Sequence, residues 1–438
     1  MNRYIWIVFV GIYTFTPIFL VFLFINITPL AHTLKYDPEK RVKELGDFMK
    51  IGIIGAPNKG KSTLFSALTL HDVDIADYPF TTINPNVGVS YITRKCAGEE
   101  MGLKCSPRDS TCEGGIRRIP VNITDVAGLV EGAHGGKGMG NRFLDDLSGC
   151  DAFILVVDAS GKTDSFGNHC DNCDPINDVE MVNGELVKWL SGIIERHMAQ
   201  LSKKDDGIGA LREVLSSFKF KKEDLEKAVV DSNLVPTRIR WSEESTATFS
   251  KHILEISKPT LIVANKMDCE GSEERVAKLR ERFGKNVTWC AAAIELALRK
   301  AAQKGIIDYT PGEKEFNILK TGIPEAQASA LKYMLGFITS HGGTNVQNVL
   351  NETVFSLLGN IVVYPVENEN RYEDGNGNIL PDALLMKRGS TAEDMAYAIH
   401  GEIGAKMLYA VDARTKMRAG KDYVLKDNDI IKIVSAAK

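Results

Sequence analysis

Cysteine is sparse and scattered: eight residues in a chain of 438, with no dense framework of the kind that staples a small secreted domain. Free thiols in a reducing cytosol are therefore the expectation. An excess of one charge is also missing. Lys and Arg number 53 against 57 Asp and Glu, and the net charge of −4 excludes a bulk polyanion-binding surface, though not a local basic patch. What remains, 44% apolar and 25% charged, is the composition of an ordinary globular protein with material for a core. The length exceeds one average domain, so two or three are expected.

One long apolar run stands out. Residues 5–27 (IWIVFVGIYTFTPIFLVFLFINI) hold no charge, and as a helix they are long enough to cross a bilayer. Arg3 precedes the run, whereas Lys35, Lys40, Arg41 and Lys43 follow it, a bias that would leave the bulk of the protein on the cytoplasmic side. No clear small-x-small cleavage site follows, which speaks against a signal peptide. Met49 stands immediately before the first strand and reads as a start of its own. Residues 1–48 are thus either a membrane anchor or upstream sequence translated only on paper. The expected compartment is the cytoplasm, with a membrane-anchored form facing the cytoplasm as the alternative.

The rest of the chain is organised around Gly55-Ala56-Pro57-Asn58-Lys59-Gly60-Lys61-Ser62-Thr63, a G-x-x-x-x-G-K-[ST] loop between the apolar run Ile51-Gly52-Ile53-Ile54 and the helical Leu64-Phe65-Ser66-Ala67-Leu68. In a strand–loop–helix of this kind the loop amides and the positive helix end cradle phosphate oxygens. Gly55 and Gly60 let the backbone approach the phosphates, Lys61 reaches the β- and γ-phosphates, and the Ser62 hydroxyl ligates magnesium; Asn58, Lys59 and Thr63 complete the expected nucleotide contacts.

Further along, Tyr78-Pro79-Phe80-Thr81-Thr82-Ile83-Asn84-Pro85 reads as a loop, and Thr82 is the threonine expected to sense the γ-phosphate through magnesium. A strand then delivers Asp125-Val126-Ala127-Gly128, with Asp125 expected to hold magnesium through water and the Gly128 N–H to contact the γ-phosphate. Lys61, Thr82 and Gly128 form the expected catalytic group. The continuous apolar run Ala152–Asp158 has the pattern of a central parallel strand. A second, Thr260-Leu261-Ile262-Val263-Ala264, ends in Asn265-Lys266-Met267-Asp268. The Asp268 carboxylate is suited to accept from guanine N1 and its exocyclic amine, donors that adenine lacks. Asn265 would tie this loop to the phosphate loop, and the Lys266 stem would cover the base. Before the next helix, the amide of Ala291 or Ala292 is the expected reader of guanine O6.

These five ordered elements, GAPNKGKS, TT, DVAG, NKMD and CAAA, resemble the guanine-nucleotide signature of translation-factor-type GTPases. YPFTTINPNVG and DVAGLVEGAHGGKGMGNRFLDDL narrow the resemblance to the Obg family, nearest its YchF-like archaeal branch. The resemblance implies a helical insert in the second half of the nucleotide domain and a C-terminal TGS domain, and from it a contact with ribosome or RNA. It spans most of residues 49–438. The tail agrees on its own terms: strands near 361–366, 384–387, 408–411 and 429–434 surround a helix with a Ser/Thr cap at Ser390-Thr391.

The expected architecture is α/β: a P-loop NTPase, doubly wound on a mostly parallel sheet, over residues 49–330. A helical insert occupies about 174–257, a helical connection 331–358, and an α+β β-grasp (TGS-like) domain 359–438. The expected function is hydrolysis of GTP to GDP and phosphate by a translation-associated switch, with magnesium as cofactor. A nucleotide-gated scaffold with incidental hydrolysis is the alternative. Some members of the YchF branch have lost N-K-x-D and accept ATP; its retention here implies GTP. Leu129 stands where Ras-like enzymes carry a water-orienting glutamine, so unaided hydrolysis is expected to be slow. Asn58 matches the position that helps hold a monovalent cation in potassium-activated relatives, which makes K+ a second expected cofactor. Cys170-Asp171-Asn172-Cys173 is a weak C-x-x-C signal, and Cys96, Cys105 and Cys112 have a spacing unlike a common zinc module, so no zinc is expected from either set.

Overall fold

A computed structural model describes residues 49–69, 87–126, 128–129, 131–132 and 147–436. The apolar run 5–27 and the threonines Thr81 and Thr82 lie outside the described residues.

β1 (Lys50–Ile54) enters the phosphate loop, and α1 (Lys61–Thr69) leaves it. β2 (Val87–Lys95), β3 (Thr111–Glu113) and the long β4 (Ile116–Asp125) follow, then β5 (Ala152–Asp158). The insert region holds α2 (Pro175–Arg196), α3 (Gly207–Val214), α4 (Lys222–Asp231) and α5 (Glu243–Ser257). Asp174 starts α2 by accepting from the Ile176 amide at 2.9 Å, with Pro175 pre-set at the first helical position. Val179, Val182, Leu186 and Leu190 then recur at helical spacing and are buried. β6 (Thr260–Asn265), α6 (Ser272–Phe283), β7 (Val287–Trp289) and α7 (Ala292–Gln303) complete the nucleotide unit.

The main sheet runs β2-β4-β1-β5-β6-β7, with β3 pairing β4. The pairs from β4 to β7 are parallel, while β2 and β3 lie antiparallel to β4. All seven residues of β5 are buried, which explains its uninterrupted apolar sequence. Its alternation divides two cores: Phe153, Leu155 and Val157 pack with α2, whereas Ile154 and Val156 pack with α1. Fully burying each such side chain stabilises the fold by about 1.5–3 kcal/mol. The doubly wound expectation is therefore met, and the parallel strands all point their C-terminal ends toward one rim, where β1, β4, β5 and β6 each deliver a loop.

After a short hairpin of β8 (Ile307–Asp308) and β9 (Asn317–Ile318) come α8 (Glu325–His341) and α9 (Val346–Asn351), the latter continuing into a π-helical turn over Glu352–Leu357. The C-terminal sheet contains β10 (Asn360–Val366), β11 (Leu384–Lys387), β12 (Met407–Asp412), β13 (Arg418–Ala419) and β14 (Asp429–Ser435), in the order β11-β10-β14-β12-β13. Within this sheet β10 and β14 pair in parallel and the other described pairs are antiparallel; α10 (Ala392–Ile399), started by a Thr391/Asp394 capping box, packs on it through Ala392, Met395 and Ala396. The result is the β-grasp arrangement. Its sheet is not loosely tethered, because Val362, Tyr364 and Ile430 share one apolar cluster with Ile92, Val121 and Leu64.

Among the described residues, no helix is long and apolar enough to cross a membrane. Cys170 and Cys173 are joined in a disulfide, a correction to the expectation of thiols throughout. The turn that brings them together is closed by the Cys170 amide on the Lys162 carbonyl (3.1 Å) and the Cys173 amide on that of Gly161 (2.9 Å).

Candidate nucleotide-binding site

Two glycines set the phosphate loop. Gly55 has φ +146°, and a Cβ there would collide with the Val156 carbonyl oxygen; Gly60 has φ +91°, and a Cβ would collide with the Asn265 amide nitrogen. The loop can pass this close to β5 and β6 only without side chains at those points. Its far side is closed by Leu129, whose amide donates to the Gly55 carbonyl at 3.0 Å.

At the floor, four predicted residues converge. Lys61 Nζ donates to the Ala56 carbonyl at 2.9 Å and lies against Gly128, where a Cβ would stand 3.2 Å from Nζ. Ser62 stands beside Asp125, which comes from the end of β4. Burial pushes the Lys61 pKa below its ordinary value, with the Asp125 charge pulling the other way. Burial likewise raises the Asp125 pKa against the opposing pull of Ser62 and Lys61. The pocket thus holds a buried cation and a partly buried carboxylate, each the other's countercharge. Asp125 Oδ1 is buried with no hydrogen-bond partner. An orphaned carboxylate oxygen beside a serine hydroxyl is a hard, all-oxygen donor set, which fits magnesium. Thr63 is half-buried on α1, and Thr82, the third expected magnesium contact, lies outside the described residues.

On the other side the end of β6 clasps the loop. Asn265 is buried; its amide nitrogen donates to the Lys59 carbonyl at 3.0 Å, and its Oδ1 accepts from the Ala292 amide at 3.2 Å. Lys266 has φ +65°, and its Nζ reaches the Asn58 carbonyl at 3.2 Å and Asp158 Oδ2 at 2.8 Å. Burial works to raise the Asp158 pKa, but hydrogen bonds from Lys266, Ser160 and Thr163 outweigh it and the net shift is downward. Asp158 therefore serves as a fixed anion that holds Lys266 across the loop. Sequence reasoning missed this pair, although a lone carboxylate closing the apolar run of β5 was the available signal. Asp268 lines a surface pocket with Met267, Gly271, Phe337 and His341, and its main-chain oxygen accepts from the Tyr333 hydroxyl at 3.1 Å. The contribution of α8 to this pocket was also not foreseen. Phe337 and His341 stack at 4.3 Å with Trp289 edge-on, so α8 presents an aromatic cluster there.

Three expected contacts need correction or refinement. The Ala291 amide donates to the Thr344 carbonyl at 3.0 Å, and the Ala292 amide is taken by Asn265, so neither is free to read guanine O6. Both alanines are fully buried, where an amide must find a protein partner. The Lys59 side chain turns away from the phosphates. It is fully buried, donates to the Thr163 and Asp164 carbonyls at 2.9 and 2.8 Å, and pairs with Asp178 Oδ2 at 2.8 Å. Lys59 thus pins the loop to α2, leaving only its main chain for a nucleotide. The Asn58 side chain, at φ +61°, donates to the Gly167 carbonyl at 2.9 Å.

The Lys59–Asp178 pair carries a stability prediction. Asp178→Asn leaves a buried ammonium without its countercharge and should cost about 3 kcal/mol, the low end for a broken buried pair because Thr163 and Asp164 still accept. Thermal denaturation reads this as a lowered midpoint, and the double change Lys59→Met with Asp178→Leu should recover most of it. An unchanged midpoint for Asp178→Asn would refute the role.

Known proteins resemble this chain along its whole described length. Three family descriptions match in succession: 50S ribosome-binding GTPase over residues 50–184, the G4 motif-containing domain of Obg-like, YGR210-like GTPases over 263–368, and the TGS domain over 377–435. An uncharacterized GTP-binding protein of Methanocaldococcus jannaschii is 48% identical over 394 residues, covering 89% of this chain and 99% of its own. The ribosome-binding ATPase YchF of Bacillus subtilis is 28% identical over 404 residues, covering 87% and 97%. The crystal structure of a GTP binding protein from Pyrococcus horikoshii OT3 superposes with a TM-score of 0.72 at 36% identity, over 89% of this chain and all of that one.

Proposed function

Because the chain belongs to the YchF/Obg-like family of P-loop GTPases, we propose that it is a magnesium-dependent, cytoplasmic switch that selects GTP and engages the ribosome through its TGS domain. The observation that carries the nucleotide part is the convergence of Lys61, Ser62, Asp125 and Gly128 on one side of a loop that Asn265 and Lys266 clasp on the other.

In this reading the loop amides and Lys61 hold the β- and γ-phosphates, and the desolvation of Lys61 strengthens its pull on them. Ser62 and Asp125 hold magnesium, which when bound neutralises charge developing on the phosphate oxygens. Gly128, in contact with Lys61, offers its amide to the γ-phosphate, so that the segment after β4 registers whether that phosphate is present. Asp268 accepts from the guanine edge. Leu129 is 2% exposed and packed in the core, so it cannot orient a water, and turnover depends on a group or ion from outside the described pocket. We assign that part to K+ held near Asn58; equal turnover in potassium and sodium buffers would refute this.

The ribosomal part is supported by the match to the 50S ribosome-binding GTPase family and by the likeness to the ribosome-binding ATPase of Bacillus subtilis. Its test is cosedimentation with ribosomal particles. The GTP-loaded protein should pellet with them and the GDP-loaded protein should not, and the TGS domain should be protected from protease in the complex. Pelleting that ignores the nucleotide, or nucleotide binding with negligible turnover under every partner and cation condition, would favour a passive scaffold.

A further inference from the structure

The three cysteines that the nucleotide site does not use meet at one point. Cys96 follows β2, Cys112 lies in β3, and Cys105 sits in the loop between, yet their sulfurs all lie within 4.8 Å of one another, with Cys96 and Cys105 at 3.5 Å. Antiparallel pairing of β2 and β3 with β4 folds the segment back on itself and produces this meeting, which is why spacing along the chain did not announce it. Thiolates around zinc at about 2.3 Å stand about 3.8 Å apart in a tetrahedron. The 3.5 Å between Cys96 and Cys105 is close to that edge, and no pair of the three exceeds 4.8 Å.

The surroundings are those of a charged site. Arg117 is fully buried next to the cluster; its Nη2 donates to the Leu380 and Pro381 carbonyls at 2.9 and 2.8 Å, but Nε and Nη1 have no hydrogen-bond partner. No carboxylate pairs with Arg117 among the described residues. A buried guanidinium of this kind requires a counter-anion. Three thiolates and one Zn2+ carry a net charge of −1, which one arginine balances. The Tyr364 hydroxyl, buried and without a hydrogen-bond partner, borders Cys96, so an oxygen donor in the fourth position has a neighbour waiting. Gly98 makes room: a Cβ there would collide with the Cys105 sulfur.

We infer that Cys96, Cys105 and Cys112 form a structural zinc site, with Arg117 as its charge partner, at the seam between the nucleotide domain and the C-terminal domain. Its position gives it a purpose. The cysteine-bearing segment is bonded to the C-terminal domain by the Ser106 amide on the Ile379 carbonyl (2.8 Å), the Arg108 amide on that of Pro381 (3.0 Å), and the Arg108–Asp374 ion pair at 2.7 Å. An ion held by this segment fixes the platform on which the C-terminal domain rests, and its binding energy becomes stability of that seam.

The test uses the full chain, purified without a histidine tag under reducing conditions. Elemental analysis should find one zinc per chain, and exchange for Co2+ should give the visible bands of a tetrahedral, thiolate-rich cobalt site. Cys105→Ser should lose the zinc and the bands while still binding GTP, which separates loss of the ion from failure to fold; Cys170→Ser, at the other cysteine pair, should keep both. Wild-type protein that carries no stoichiometric zinc and shows no such bands with Co2+ overturns the inference, whatever the variants do. So does a Cys105→Ser chain that retains zinc.

Discussion

Asp268→Asn should lower GTP affinity by roughly 10²- to 10⁴-fold while leaving ATP binding nearly unchanged, so that the preference between the two bases collapses. The size follows from two hydrogen bonds to a charged acceptor, about 1.5–3 kcal/mol each, at 1.4 kcal/mol per decade. The direction follows from donor patterns: guanine presents N1–H and an exocyclic amine to a carboxylate, and an amide can match only part of that pair. The fold should be indifferent, since Asp268 is half-buried at the mouth of a surface pocket and its main-chain contact with Tyr333 survives the change. Competition between GTP and ATP measures the outcome. A variant that still prefers GTP as wild type does would move base selection elsewhere in the pocket. The question has weight because relatives bear both descriptions, GTP-binding protein and ATPase.

Lys61→Ala should abolish measurable GTP binding and turnover. The ammonium is the only side-chain cation among the described residues that faces the floor formed by Ser62, Asp125 and Gly128, because Lys59 is consumed by Asp178 and Lys266 by Asp158. The nucleotide-free protein should show a second effect. Burial holds the Lys61 pKa below the 10.5 of an exposed lysine, so between those two values the unfolded chain binds more protons than the folded one. Stability from this group is therefore gained as pH rises through the lowered folded value toward 10.5, and that gain should be present in wild type and absent in Lys61→Ala. Identical alkaline stability profiles for the two proteins would contradict the burial argument, and undiminished GTP binding by the variant would contradict the site.

The legible parts of the sequence are those where side-chain identity carries the chemistry. Gly55 and Gly60 announce close backbone approach, Lys61 and Asp268 announce charge, and the uninterrupted apolar run of β5 announces a strand covered on both faces. Together they made the doubly wound sheet readable, whereas the tail read on its own residues only as an α+β unit, its β-grasp form being what the family resemblance implied. The illegible parts depend on partners far away in the chain. Whether the Ala291 amide is free is decided by Thr344, and alanine has no side chain to signal it. Lys59 sits inside the motif as though aimed at phosphate, yet Asp178 on a later helix redirects it. Three irregularly spaced cysteines meet because of strand pairing, which no spacing rule encodes.

Isothermal calorimetry on the purified protein with magnesium bears most directly on the claim that these separated loops build one purine-triphosphate pocket with a carboxylate that chooses the base. Saturable heat for both GDP and GTP, with ATP far weaker and Lys61→Ala silent, is the predicted result. No heat for either guanine nucleotide, or equal affinity for ATP and GTP, would contradict it.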